Sequence, residues 1–214
     1  MKALQSRSSF LLLTSVAAIV FAVCSAVEGQ PQGKAMLQKV SPSTEPQYDA
    51  MGHLKRPTDF QTWVFVGANI GLQYRKDLPE TTQREQGRHQ GAKIGDFHNI
   101  YVRPESYASY LKTGKFPEMT VLVMDVYESK EKDKENVVVN GLFPGDQRRI
   151  EVAVKNSKRP DGAKTNWAYY EFDPPTQPTA KAFPDSACYD CHRKHASVDN
   201  VWVQFYPILR SHEK

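Results

Sequence analysis

Thr120–Tyr127 reads TVLVMDVY, a run of β-branched and aromatic residues that suits a pleated, half-buried surface and sets the reading of the whole chain. Two further stretches carry the same signal. In RIEVAVKN (149–156), Ile150, Val152 and Val154 alternate with other residues, and NWAYYEF (166–172) is aromatic throughout. FHNIYV (97–102) is a fourth strand candidate. The middle of the domain is therefore β-rich. ESKEKDKEN (128–136), a run of mixed charge between the first two strands, reads as a solvated connection.

Helical signals flank these strands. Pro104 is placed to open a helix, PESYASYLK, and Gly114 to end it, which puts Lys112 in the last turn. Asp59 can cap a short helix in which Phe60, Trp63 and Val64 recur at helical spacing, before Gly67 and Gly71 interrupt the pattern. Near the C-terminus, VDNVWVQFYPILR (198–210) places Val198, Trp202, Phe205, Tyr206 and Leu209 three or four residues apart, as a helix face would. Pro207 would kink or end such a helix early. TTQREQGRHQGAKIGD (81–96) is polar and glycine-containing, and reads as a surface loop.

With 214 residues and 40% hydrophobic content, the chain can bury one core of ordinary size. Its start, MKALQSRSSFLLLTSVAAIVFAVCSAVEGQ, joins Lys2 and Arg7 to an apolar run from Phe10 to Val23 and the small residues Ser25 and Ala26. That pattern predicts a signal peptide, 1–26, cleaved after Ala26, and an exported protein, periplasmic or equivalent. Val23 stands where lipoprotein signals need a small residue before the cysteine, which argues against lipid attachment at Cys24. No other stretch reaches the ~20 apolar residues a spanning helix requires, so the mature protein is expected in water. Residues 27–57, rich in Pro, Gln, Ser and Lys, read as a poorly ordered lead-in, and 58–212 as the domain. The net charge of +4 is spread along the chain without a basic block, which excludes nucleic acid as an expected partner.

Cleavage would leave two cysteines, both in Cys188-Tyr189-Asp190-Cys191-His192. This C-x-x-C-H spacing lets two thiols bond the vinyl groups of one haem while the next residue, His192, reaches the iron. Asp185 or Ser186 is placed to cap the turn that carries it. A zinc site fits poorly, because structural zinc needs four ligands and no second cysteine pair exists. A redox dithiol belongs early in a βα unit. A disulfide across two residues leaves His192 unexplained and closes too short a loop to stabilise much. One covalently held haem c is the expected cofactor. Only a short tail follows His192, so earlier residues must build the pocket. No Met follows, and His53, His89, His98 and Met119 are the candidates for a sixth ligand.

TWVFVG, IYVRPESYASYLKTGKFP, NWAYYEF, CYDCHRKHA and VWVQFYPILR, in this order between Trp63 and Arg210, make the chain resemble cytochrome P-460 and its relative cytochrome c′-beta. The sequence departs from that pattern at Glu118-Met119, where the family usually has an Asp-Gly turn. The resemblance implies an α+β fold, mainly an antiparallel β-sheet with flanking helices and a C-terminal haem-binding helix, usually dimeric, with a five-coordinate haem. In the P-460 branch a lysine is joined to the porphyrin rim and hydroxylamine is oxidised; in the c′-beta branch the pocket binds nitric oxide or carbon monoxide. Lys112 matches the lysine position, although a lysine in a last helical turn is also favoured by the helix dipole.

Oxidising hydroxylamine requires proton removal, for which Glu171 and Asp173 are the candidate carboxylates, expected to share a strand face with Trp167 and Tyr169. A wall of Phe97, Tyr107 or Phe172 would instead suit a neutral gas. His195, three residues beyond His192 on one helix, cannot reach the opposite haem face and is expected at the surface. The leading expectation is an exported mono-haem oxidoreductase acting on a small nitrogen compound, with a second cytochrome as electron acceptor. A binder of a diatomic gas and a simple electron carrier are the alternatives.

Overall fold

Alternation of apolar side chains along TVLVMDVY and its neighbours builds a sheet with two buried faces. The structure, a computed structural model, describes residues 45–72, 95–131 and 141–210. Among these, the strands are β1 (Leu54–Lys55), β2 (Val64–Ile70), β3 (Phe97–Val102), β4 (Val121–Glu131), β5 (Leu142–Lys155), β6 (Trp167–Phe172) and β7 (Thr179–Ala180). The helices are α1 (Pro104–Thr113), α2 (Tyr189–His195) and α3 (Pro207–Arg210). Strands β2 to β6 lie in chain order in one sheet with every neighbouring pair antiparallel, and β1 pairs antiparallel with β7. The fold is α+β and mainly antiparallel, as the resemblance implied.

The period of two sorts each strand onto two cores. One face holds Val121, Val123, Ile150, Val152, Val154, Ala168, Tyr170 and Phe172, closed by Leu54, Phe60, Trp63 and Ala180. The opposite face holds Val66, Ile100, Val102, Leu122, Trp167 and Tyr169, covered by Tyr110, Phe116, Val201, Val203 and Leu209. Helix α1 behaves as its sequence predicts: Pro104 opens it, and Gly114 caps it in the left-handed region, φ 69°, its N–H donating to the Tyr110 carbonyl at 2.8 Å. Tyr110 is fully buried and stacks on Phe116 at 4.5 Å. Its hydroxyl donates to the Leu209 carbonyl at 2.9 Å, which ties α1 to the C-terminal segment.

Several expectations are corrected. Asp59 caps no extended helix: a single 3-10 turn spans Phe60–Thr62, without a side-chain cap, and Val64 already begins β2. The β-branched and aromatic Val64-Phe65-Val66 outweigh the helical spacing, and Gly67 marks a bulge at which an added Cβ would come within 3.0 Å of the Tyr206 ring. VDNVWVQFYPILR is not one helix. A bridge between Val198 and Val201 is followed by a 3-10 turn, Val203–Phe205, and Pro207 begins α3 rather than ending a helix. The charged run starting at Glu128 continues β4 as far as Glu131, while 132–140 lie outside the described residues. The folded chain also starts before Thr58, since Leu54 is 1% exposed and pairs with Ala180. The expected leader, 1–26, and most of the polar loop, 81–94, lie outside the described residues. No helix among the described residues is long and apolar enough to cross a membrane.

Candidate functional site

The chain reaches the cysteine motif from β6 by way of β7. The Phe183 N–H donates to the Tyr169 carbonyl at 2.8 Å, and the Arg159 guanidinium, buried between strand and turn, holds the Trp167 carbonyl at 3.0 Å and the Asp185 carboxylate at 3.2 Å. Asp185 is thereby occupied and does not cap α2. The N-cap is Cys188, without a side-chain cap bond, and the Asp190 N–H is satisfied by the Asp185 backbone carbonyl at 3.0 Å. Because α2 begins at Tyr189, Cys188 and Cys191 lie one turn apart and His192 follows within the helix.

Within the motif, both ring nitrogens of His192 are engaged. Its Nδ1 lies 2.9 Å from the Asn200 carbonyl, which accepts only, so Nδ1 carries the proton and Nε2 keeps its lone pair. The Trp202 indole N–H donates to that lone pair at 3.2 Å. The same electron pair is what a metal would take, so ligation and the indole bond exclude each other. The ring packs on Tyr169 at 4.4 Å between centroids. Burial pushes the imidazole down to about 4 against the opposing pull of the Asn200 carbonyl, which leaves it neutral at pH 7, the form that ligates metals.

Neither cysteine forms a disulfide among the described residues, and both are half-buried. Burial pushes the Cys191 thiol up, with Lys194 opposing. That is the reverse of what a redox-active thiolate needs. Cys188 packs with Tyr107, Leu111, Phe183 and Tyr189 against the second core. The Asn200 side-chain Nδ2 is buried without a hydrogen-bond partner among the described residues, an arrangement costing about 1–3 kcal/mol unless something satisfies it. Two thiols, a neutral imidazole whose Nε2 lone pair iron would take in place of the Trp202 N–H, aromatic walls and an unsatisfied buried donor together fit a haem, whose propionates are hydrogen-bond acceptors.

The family model described as cytochrome P460 matches residues 57–203, a span that contains the whole motif and β2 through β7. The chain belongs to the cytochrome P460 family. It is accordingly a haem-binding cytochrome. No curated protein matches the chain. In this member of the family, the match ends inside the 3-10 turn after Val201, so Asn200 and Trp202 fall within it while α3 falls outside.

The other residues singled out in the sequence divide between the two faces. Glu171 lies on the face of Trp167 and Tyr169, as the alternation predicts; its side chain is 10% exposed, with Oε2 3.7 Å from the Arg149 guanidinium. Arg149 also holds Glu151 at 2.7 Å and Asp96 at 3.3 Å. Asp173 is exposed and lies one residue beyond the end of β6, so it is not a strand residue on that face. Tyr107 packs against the second core, as Cys188 does, whereas Phe172 belongs to the other face and Phe97 alternates away from His98 and Ile100. Neither phenylalanine walls the motif. Lys112 is exposed in the last turn of α1.

His195 is exposed, its ring parallel to Trp202 at 6.5 Å. His53 meets Asp49 at 3.4 Å, and His98 meets Asn69 at 2.8 Å. Met119 occupies the turn after α1, and His89 lies outside the described residues. Sequence reasoning did not find Asn200, Tyr169 and Trp202 as neighbours of His192. The one available signal was Val-Asp-Asn-Val, a two-residue turn bracketed by β-branched residues, because Asp and Asn tolerate positive φ.

Proposed function

We propose that this chain is an exported c-type cytochrome, with one haem joined by thioethers to Cys188 and Cys191 and its iron held by His192, that oxidises hydroxylamine or a related small nitrogen compound. The observation that carries the reading is the neutral His192, its Nδ1 engaged by the Asn200 carbonyl, in one C-x-x-C-H motif with two half-buried cysteines that form no disulfide among the described residues. Bound haem supplies an iron that accepts electrons from its ligand. The chain's own residues do the rest. His192 fixes the metal and Asn200 fixes His192. Tyr169 limits tilting of the ring, and the Glu171 carboxylate, beside Arg149, takes protons released by the substrate. Asp173 is a second, solvent-side acceptor at the strand end.

Lys112 is proposed to bond the porphyrin rim. Its neighbour Leu111 and Tyr107, one turn earlier, pack in the cluster that contains Cys188, which supports bringing the end of α1 toward the haem. The electrons leave to a second cytochrome, and the functional unit is a homodimer in the periplasm or an equivalent exported location. The test is hydroxylamine-dependent reduction of a cytochrome acceptor by purified protein. Turnover that falls in Glu171→Gln, together with a red-shifted ferrous band that reverts in Lys112→Ala, is the expected result. Absence of turnover in haem-loaded wild-type protein contradicts it.

A second reading has its own support. Cys188 packs against an apolar, aromatic core, as Tyr107, Leu111 and Phe183 do, and Glu171 is already paired with Arg149. These features suit capture of nitric oxide or carbon monoxide without turnover. Retained gas binding in a protein inert to hydroxylamine decides for it.

A further inference from the structure

The carbonyl that holds His192 belongs to a tight turn, and that turn has its own anchor. Asp199 and Asn200 occupy the two central positions between Val198 and Val201, with φ 47° and 63°, and the Val201 N–H donates back to the Val198 carbonyl at 2.7 Å. Two consecutive residues with positive φ define a turn that Asp and Asn tolerate and most residues do not. The Asp199 carboxylate does not point into solvent. Its Oδ2 lies 2.7 Å from Lys155 Nζ, and its Oδ1 accepts the Trp167 indole N–H at 3.3 Å.

Lys155 and Trp167 face each other in register on β5 and β6, and Lys155 Nζ also donates to the Phe116 carbonyl at 2.8 Å. One carboxylate thus fastens the turn to two paired strands of the sheet. The next residue in the chain presents its carbonyl to His192 Nδ1. The Tyr169 hydroxyl donates to the same carbonyl at 3.5 Å.

We propose that Asp199 is a positioning residue for the iron-binding histidine: it locks the Asp199-Asn200 turn so that the Asn200 carbonyl draws on the His192 Nδ1 proton, with Tyr169 competing for that carbonyl. The inference rests on the reading of His192 as the iron ligand. A stronger Nδ1–H bond gives the imidazole more negative character and strengthens its bond to a metal. Loosening the turn weakens that bond, and removing the competitor strengthens it.

The test is resonance Raman spectroscopy of the ferrous, haem-loaded full chain, with the iron–histidine stretch assigned by its loss in His192→Gly, and the reduction potential measured alongside. Asp199→Ala is expected to shift the stretch to lower frequency and raise the potential with haem content unchanged. Tyr169→Phe is expected to shift both the opposite way. A general loosening of the structure would not give opposite signs. Should Asp199→Ala not fold, Asp199→Asn, which keeps one acceptor for Trp167, is expected to give a smaller shift of the same sign. A wild-type band that neither Asp199 variant moves overturns the proposal and leaves His192 ligation intact. A spectrum with no band lost in His192→Gly overturns the ligation reading and the proposal with it.

Discussion

The two faces of the five-stranded sheet are built from the same strands and differ in what they bury. The face of Val123, Val152 and Phe172 is closed by apolar side chains from β1, β7 and the Phe60 turn, and toward its other end buries Asp125, which accepts from Tyr127 and Gln147. The other face is apolar under α1 and the C-terminal segment, and also carries His98, Arg149, Glu151 and Glu171, with Asp96 joined to them through Arg149. Buried charges need partners, and each of these has at least one. The difference teaches a division of labour: alternation lets one strand, β6, send Tyr170 and Phe172 to the core away from the haem motif while Tyr169 and Glu171 go to the motif's side.

The largest effect should come from the face away from the motif. Phe172→Ala is expected to lower unfolding stability by about 3–5 kcal/mol. The spectrum of whatever protein folds should be unchanged, as denaturant titration with absorption spectroscopy will show. A displaced haem spectrum would break the comparison, since it would mean the two faces are coupled through the sheet.

Next comes the buried His98, which burial pushes down to about 4, with Arg149 acting the same way and Asp96 opposing. Its folded value lies below the unfolded 6.5, so the unfolded chain binds the extra proton. Stability from keeping His98 neutral is therefore present above pH 6.5 and is lost as pH falls from 6.5 toward 4, at most roughly 3 kcal/mol. His98→Gln should flatten this slope in unfolding curves taken across that range. An unchanged slope would move the acid sensitivity elsewhere.

A smaller loss is expected for Tyr110→Phe, which strips the Leu209 carbonyl of its donor and should reduce stability by about 1–2 kcal/mol. The smallest change has the opposite sign. Met119 sits at φ 63° in the Pro117–Thr120 turn, a conformation glycine adopts without steric cost, and Met119→Gly should raise stability by about 1 kcal/mol. Thermal melts read both. A destabilised glycine variant would show that Met119 packing outweighs the backbone strain.

How far the sequence could be read follows from what each signal encodes. β3 to β6 and α1 were legible because period-two alternation, Pro104 and Gly114 are local and agree with their tertiary surroundings. β2 was not, because Phe60, Trp63 and Val64 satisfy helical spacing as well as they satisfy a turn followed by a strand. The C-terminal segment was misread for a related reason: Val198, Trp202 and Leu209 fit a helix until Asp199 and Asn200 take positive φ, a choice fixed by Lys155 and Trp167 far away in sequence. Within the site, Cys-x-x-Cys-His was legible as chemistry. Its support was not, because the partner of His192 is a backbone carbonyl, which every residue has.

Cys188 and Cys191 are proposed to hold one haem covalently beside His192. Intact mass of the purified protein under denaturing conditions, for wild type and for Cys188→Ala/Cys191→Ala, tests it most directly. Wild-type chain should keep the mass of a single haem after denaturation, and the double variant should lose it. Haem that leaves the wild-type chain in acidified organic solvent would contradict the claim.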